Sequence, residues 1–132
     1  VTLELRHADF FGPFNDLSAD NPQATFEYLL GAASGLDLAY LPVIRMPTGR
    51  VDNIALGQQH FGGRLIGNES YQFDEAQGAV SAGELSAVSF GRSFIGNPDL
   101  VGRWRNGQPL AKFDLDTLYT PGEKGYTDYP DA

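Results

Sequence analysis

Two short segments bring together the residue types that hold anions. Gly67-Asn68-Glu69-Ser70 and Gly91-Arg92 each follow a short apolar run and lead into a helix or near-helical turn. Backbone N–H groups in such turns, with a helix N-terminus behind them, form a site for negative charge. Arg92 adds a guanidinium suited to phosphate oxygens. A plainer reading stands beside this one, in which both glycines only allow tight turns. The other chemistry-bearing residues are isolated. His7 and His60 are the only histidines and read as surface residues without a direct role. Asp9, Asp16 and Asp20 share a loop but lack the spacing and closing glutamate of a calcium loop, so they read as turn caps. Ser89 and Ser93 form no Gly-x-Ser-x-Gly elbow. The chain has no cysteine, which removes disulfides, thiolate metal ligands and a cysteine nucleophile. No metal site is expected.

The totals narrow the classes further. A chain of 132 residues suits one compact domain, and its hydrophobic share of 42% is that of a globular protein. Nine basic residues against seventeen acidic ones leave a net charge of −8, a poor match to nucleic acid. Any anionic ligand must therefore be held locally, by amides and a few cations. No apolar run is long enough to span a bilayer, no secretory signal pattern is present, and a cytoplasmic location is expected. The first residue is Val1, not Met, and upstream sequence is expected.

The elements that must position these segments alternate in type. Residues 1–6 alternate apolar and polar side chains, as a short strand does, and 7–20 read as a long loop. Asn21 can cap a helix and Pro22 is preorganised for its first turn. Phe26, Leu29, Leu30 and Ala33 then form one apolar face, and Gly35 marks a stop. Residues 38–44 are an apolar run of the kind buried on both faces of a parallel sheet. Residues 45–50 read as a polar turn. Residues 51–60 suit a short helix, which Asn53 and Gly57 weaken. Residues 63–68 read as a strand, 71–82 as a helix on Phe73, Ala76 and Val80, and 85–90 as a strand closed by Gly91. Asn97-Pro98 predicts a capped helix to about Arg105, with Trp104 packing on it and Gly107 stopping it. The tail, 108–132, is irregular.

This order is four β/α units and a tail, which implies parallel strands with right-handed crossovers. Two α/β architectures fit: a small open doubly wound sheet, or half of a (β/α)8 TIM barrel. A complete barrel takes about 250 residues, so the second implies that half is supplied elsewhere.

A resemblance favours the barrel. Val88-Ser89-Phe90-Gly91-Arg92-Ser93-Phe94-Ile95-Gly96-Asn97-Pro98-Asp99-Leu100-Val101 closely resembles the last strand and helix of the Old Yellow Enzyme family. These are FMN-dependent ene-reductases that include N-ethylmaleimide and nitrate-ester reductases. Thr117-Leu118-Tyr119 and Gly125-Tyr126-Thr127-Asp128-Tyr129-Pro130 look like the family's C-terminal signature. Gly12-Pro13-Phe14-Asn15-Asp16 and Leu38-Ala39-Tyr40-Leu41 match it in order.

The resemblance implies that residues 1–132 are a single C-terminal half-barrel, strands five to eight. It implies that FMN phosphate is held after the last two strands by the segment Asn68, Glu69 and Ser70 and by Gly91 and Arg92, with the Arg92 side chain near the phosphate. Tyr119 takes the place of the family's tyrosine beside the flavin. Departures accompany the match. By register, Glu4 stands where the family usually has an arginine against the flavin pyrimidine ring, with Arg6 two residues on and facing the same side. Glu69 stands where glycine is frequent. The family's substrate-binding pair and proton-donor tyrosine belong to the N-terminal half, so no catalytic residue is assigned to this chain. The expected function is the FMN-binding half of an oxidoreductase that passes hydride from NAD(P)H to an activated alkene. Such a half is inactive as a lone chain and needs a complementary N-terminal half-barrel. The alternative is a non-catalytic half-barrel that dimerises and binds FMN or another phosphate ligand.

Overall fold

The computed structural model describes residues 21–45, 51–118 and 120–131. The predicted strand at 1–6, the loop at 7–20, and with them Glu4, Arg6 and His7, lie outside the described residues, as does Tyr119. The chain divides into two compact units, Val1–Ser89 and Phe90–Ala132.

In the first unit, α1 (Pro22–Ser34) starts where the sequence places it: the Asn21 side chain accepts from Ala24 N at 3.1 Å. Its apolar face is narrower than the spacing predicts. Leu30 and Ala33 are buried and Phe26 packs at the core edge, but Leu29 is exposed. Strand β1 (Leu41–Ile44) is shorter than the apolar run at 38–44. Its first rung pairs Leu41 with Leu65, where β2 (Leu65–Asn68) begins, so residues 38–40 have no strand to pair with in the described sheet. Helix α2 (Asn53–His60) is capped by Asp52, whose carboxylate accepts from Ala55 N at 3.0 Å. Helix α3 (Phe73–Ser81) leads to β3 (Ala87–Ser89).

The sheet has the order β1-β2-β3 and every pairing is parallel. Leu41 N donates to Arg64 O and Arg45 N to Asn68 O, so alternate residues of β1 face β2. Pro42, out of that phase, costs the ladder no bond. Leu41 and Val43 are buried while Pro42 and Ile44 are only half-buried. This corrects the expectation of a strand buried on both faces. Here α1 and α2 supply one cover, and the core gathers there: Leu30, Ala33, Leu41, Val43, Leu56 and Leu65, with Val51, Phe61 and Leu85. Gly57 lets α2 sit close to the sheet. A Cβ there would lie 3.1 Å from Leu65 Cδ1 and 3.6 Å from Val43 Cγ2. The residue that weakens the helix prediction is the one at which α2 comes closest to Leu65 and Val43 of the sheet.

In the second unit, α4 (Arg92–Gly96) and α5 (Leu100–Arg105) precede an irregular return. Asn97 does not cap α5 through its side chain, as Asn97-Pro98 predicted. It is fully buried, and its amide donates to Ser93 O (3.0 Å) and Ala111 O (3.2 Å) and accepts from Ala111 N (2.7 Å). The short side chain acts here as a clasp between α4 and the return and not as a cap, pairing with backbone groups of both. Asp99 precedes α5 and pairs with Arg103 at 2.7 Å. Trp104 packs edge-on against Phe90, with ring centroids 4.7 Å apart.

Candidate functional site: the C-terminal end of strand β2

Gly67-Asn68-Glu69-Ser70 lies within the first unit. Asn68 ends β2, and its amide is committed to the neighbouring strand. Nδ2 donates to Ser89 O (3.0 Å) and Ser89 Oγ (2.8 Å), and Ser89 Oγ in turn reaches Gly67 O at 3.3 Å. The strand ends of β2 and β3 are thus tied side by side.

The next two residues leave the strand in an uncommon way. Glu69 has φ 66° and Ser70 has φ 57°, and they are the only non-glycine residues with positive φ among those described. The left-handed region costs an L-residue roughly 1–2 kcal/mol. Glycine avoids that cost. Strain of this kind persists only where the surroundings over-determine it, and it gathers at functional sites. The Ser70 N–H has no acceptor among the described residues.

Four residues to which the sequence assigns no role lie beside this turn: Arg45, Tyr71, Gln72 and Glu75. Arg45, just past β1, lays its guanidinium over the Tyr71 ring, 3.7 Å from the centroid. Arg45 Nη2 donates to Glu75 Oε2 at 3.0 Å, and the same oxygen accepts from Gln72 N at 2.9 Å. The Gln72 N–H bond, and then Arg45, hold the Glu75 carboxyl below its ordinary range. Burial pushes the Tyr71 phenol up, against the pull of the Arg45 cation. Gly67 sits behind the ring: a Cβ there would lie 2.6 Å from Leu85 Cδ1 and 3.1 Å from Tyr71 Cε2. The Gln72-x-x-Glu75 spacing was a readable helix-start signal. Arg45 carried none, because its partners lie 26 to 30 residues further along the chain.

Gly91 and Arg92 belong to the second unit. Gly91 O accepts from Phe94 N and Ile95 N at 2.9 and 3.0 Å, opening α4 at Arg92. No cluster of three metal-ligating side chains occurs among the described residues, and no described helix is long and apolar enough to cross a membrane. A cavity of about 350 Å³ lies at the other end of the sheet, lined by Gln58, Gly62, Gly63, Leu65, Gly83, Glu84 and Ser86. In barrel folds that face serves stability and the C-terminal face serves binding.

These features define a parallel α/β fragment with its strained, amide-presenting turn at a strand C-terminal end. No family model matches the chain. It is 40% identical over 121 residues to a probable flavin mononucleotide-dependent alkene reductase of Leishmania infantum, covering 89% of this chain and 33% of that protein. The old yellow enzyme structure from Trypanosoma cruzi superposes with a TM-score of 0.79 at 36% identity, over 86% of this chain and 31% of that one. The old yellow enzyme homologue from Zymomonas mobilis gives 0.75 at 36% identity, over 87% and 34%. Over about a third of their length, the chain is similar to Old Yellow Enzyme-like flavin alkene reductases. Its solved neighbours are TIM-barrel enzymes, and it spans about a third of the length of the curated relatives it matches.

Proposed function

We propose that this chain is the FMN-binding C-terminal part of an ene-reductase, completed for catalysis by an N-terminal half-barrel. FMN, when bound, supplies hydride transfer between a reduced nicotinamide and an activated alkene. The chain's own part is to hold the phosphate end. Amides of Glu69 and Ser70, following Asn68, are the first unit's candidate phosphate donors, and Gly91 and Arg92, the latter with its guanidinium as a local cation, are the second unit's. Tyr119 packs beside the flavin ring. The Asn68 side chain is a spacer that fixes the strand end and not a ligand, since both of its donor bonds go to Ser89.

The observation that carries this reading is the pair of left-handed residues, Glu69 and Ser70, at the end of β2 in a chain whose relatives are flavin-dependent. A local cation is needed because a net charge of −8 repels a phosphate dianion at a distance. Titration of the apoprotein with FMN, followed by flavin fluorescence, tests it. Arg92→Ala is expected to weaken FMN binding by about 1.5–3 kcal/mol, the range for a hydrogen bond to a charged group. Equal affinity in the variant would remove Arg92 from the site. A wild-type protein that takes up no flavin would end the reading.

A further inference from the structure

Arg45 touches the strained turn on both flanks. Before it, the Arg45 backbone N–H donates to Asn68 O at 2.8 Å. After it, the guanidinium lies on the Tyr71 ring and pairs with Glu75, whose oxygen also holds Gln72 N. Only Glu69 and Ser70 lie between these anchors, and both are left-handed, a state that non-glycine residues rarely keep unaided. Arg45 Nε is buried without a hydrogen-bond partner, so the guanidinium takes its orientation from the ring and the carboxylate. Its charge is already answered by Glu75, which argues against a direct role as a phosphate ligand.

We propose that Arg45 is a positioning residue: it braces the Glu69–Ser70 turn and so sets how tightly the flavin phosphate is held. The inference rests on the phosphate site proposed above. Without the brace the two residues relax toward negative φ, and their amides turn away from the anion. Lysine cannot replace it, because a compact ammonium lacks the planar face that covers the ring while reaching the carboxylate.

The test compares FMN with riboflavin, which lacks the phosphate, by fluorescence titration of the full natural polypeptide. Arg45→Met is expected to lower FMN affinity about tenfold, the scale of one partly desolvated cation–π contact, and to leave riboflavin affinity unchanged. Adding Glu69→Gly and Ser70→Gly to that variant is expected to restore most of the FMN preference, since glycine holds positive φ without support. Glu75→Gln, a milder change, is expected to give a smaller loss in the same direction. A preference for FMN that survives both Arg45→Met and Glu75→Gln overturns the brace. So does an equal loss of both flavins, which marks a merely structural role. A wild type with no preference for FMN over riboflavin instead removes the phosphate site, and the brace with it.

Discussion

Glu75 shows how one half-exposed carboxylate can organise its neighbourhood. A single oxygen accepts from the Gln72 amide and from Arg45, and both favour the charged form. Its folded pKa therefore lies below its unfolded value. The sign follows: the stabilisation is fully present above the unfolded carboxylate range and is lost as pH falls through the lowered folded value. The difference in urea midpoint between wild type and Glu75→Gln should thus be largest near neutral pH and shrink as the pH falls through the lowered folded value. A difference that stays constant with pH would show that the charge of Glu75 contributes nothing. The same residue illustrates what single positions reveal. Its spacing from Gln72 is visible in the sequence; its pairing with Arg45 across 30 residues is not, because nothing local specifies it.

At the scale of elements, packing and intrinsic propensity pull in opposite directions at two helical glycines. A Cβ on Gly31, in α1, would meet nothing within 4 Å, whereas one on Gly57, in α2, would press on Leu65. Gly31→Ala should stabilise by about 0.5–1 kcal/mol through helix propensity alone. Gly57→Leu should destabilise by about 1–3 kcal/mol despite its better propensity, because the added atoms overfill the helix–sheet contact. Thermal or urea unfolding of the two variants checks both signs, and a stabilised Gly57→Leu would mean that α2 does not sit close to the sheet. The contrast explains what was legible. Periodicity and caps placed α1, α2, α3 and the three described strands in the right order. Strand lengths were overestimated, because pairing partners rather than hydrophobicity set where β1 and β3 end. The Asn97 misassignment has the same root: a residue suited to capping was recruited by a backbone segment fourteen residues away. In the candidate site, the turn at 67–70 could be read from its residue types, but its left-handed geometry and its brace are tertiary facts.

For the whole molecule, the relevant feature is an open sheet. Three short parallel strands leave β1 and β3 as outer strands of the described sheet, and relatives spend three times this length on their fold. Unpaired strand edges invite further pairing. We expect the 132-residue chain on its own to run above its monomer mass of 14.3 kDa in size-exclusion chromatography with light scattering, and a polypeptide carrying the preceding part of the family fold to suppress that association. A stable, monodisperse monomer would argue against the half-barrel reading.

Gly67 carries a last consequence. A Cβ placed there would lie 2.6 Å from Leu85 Cδ1 and 3.1 Å from Tyr71 Cε2, so a side chain at the strand end must displace Leu85 and press on the ring. The ring is also the surface on which Arg45 rests. Drift at a position that touches no ligand is thereby converted into displacement of the turn two residues on, so selection on cofactor retention would reach into the backbone of β2.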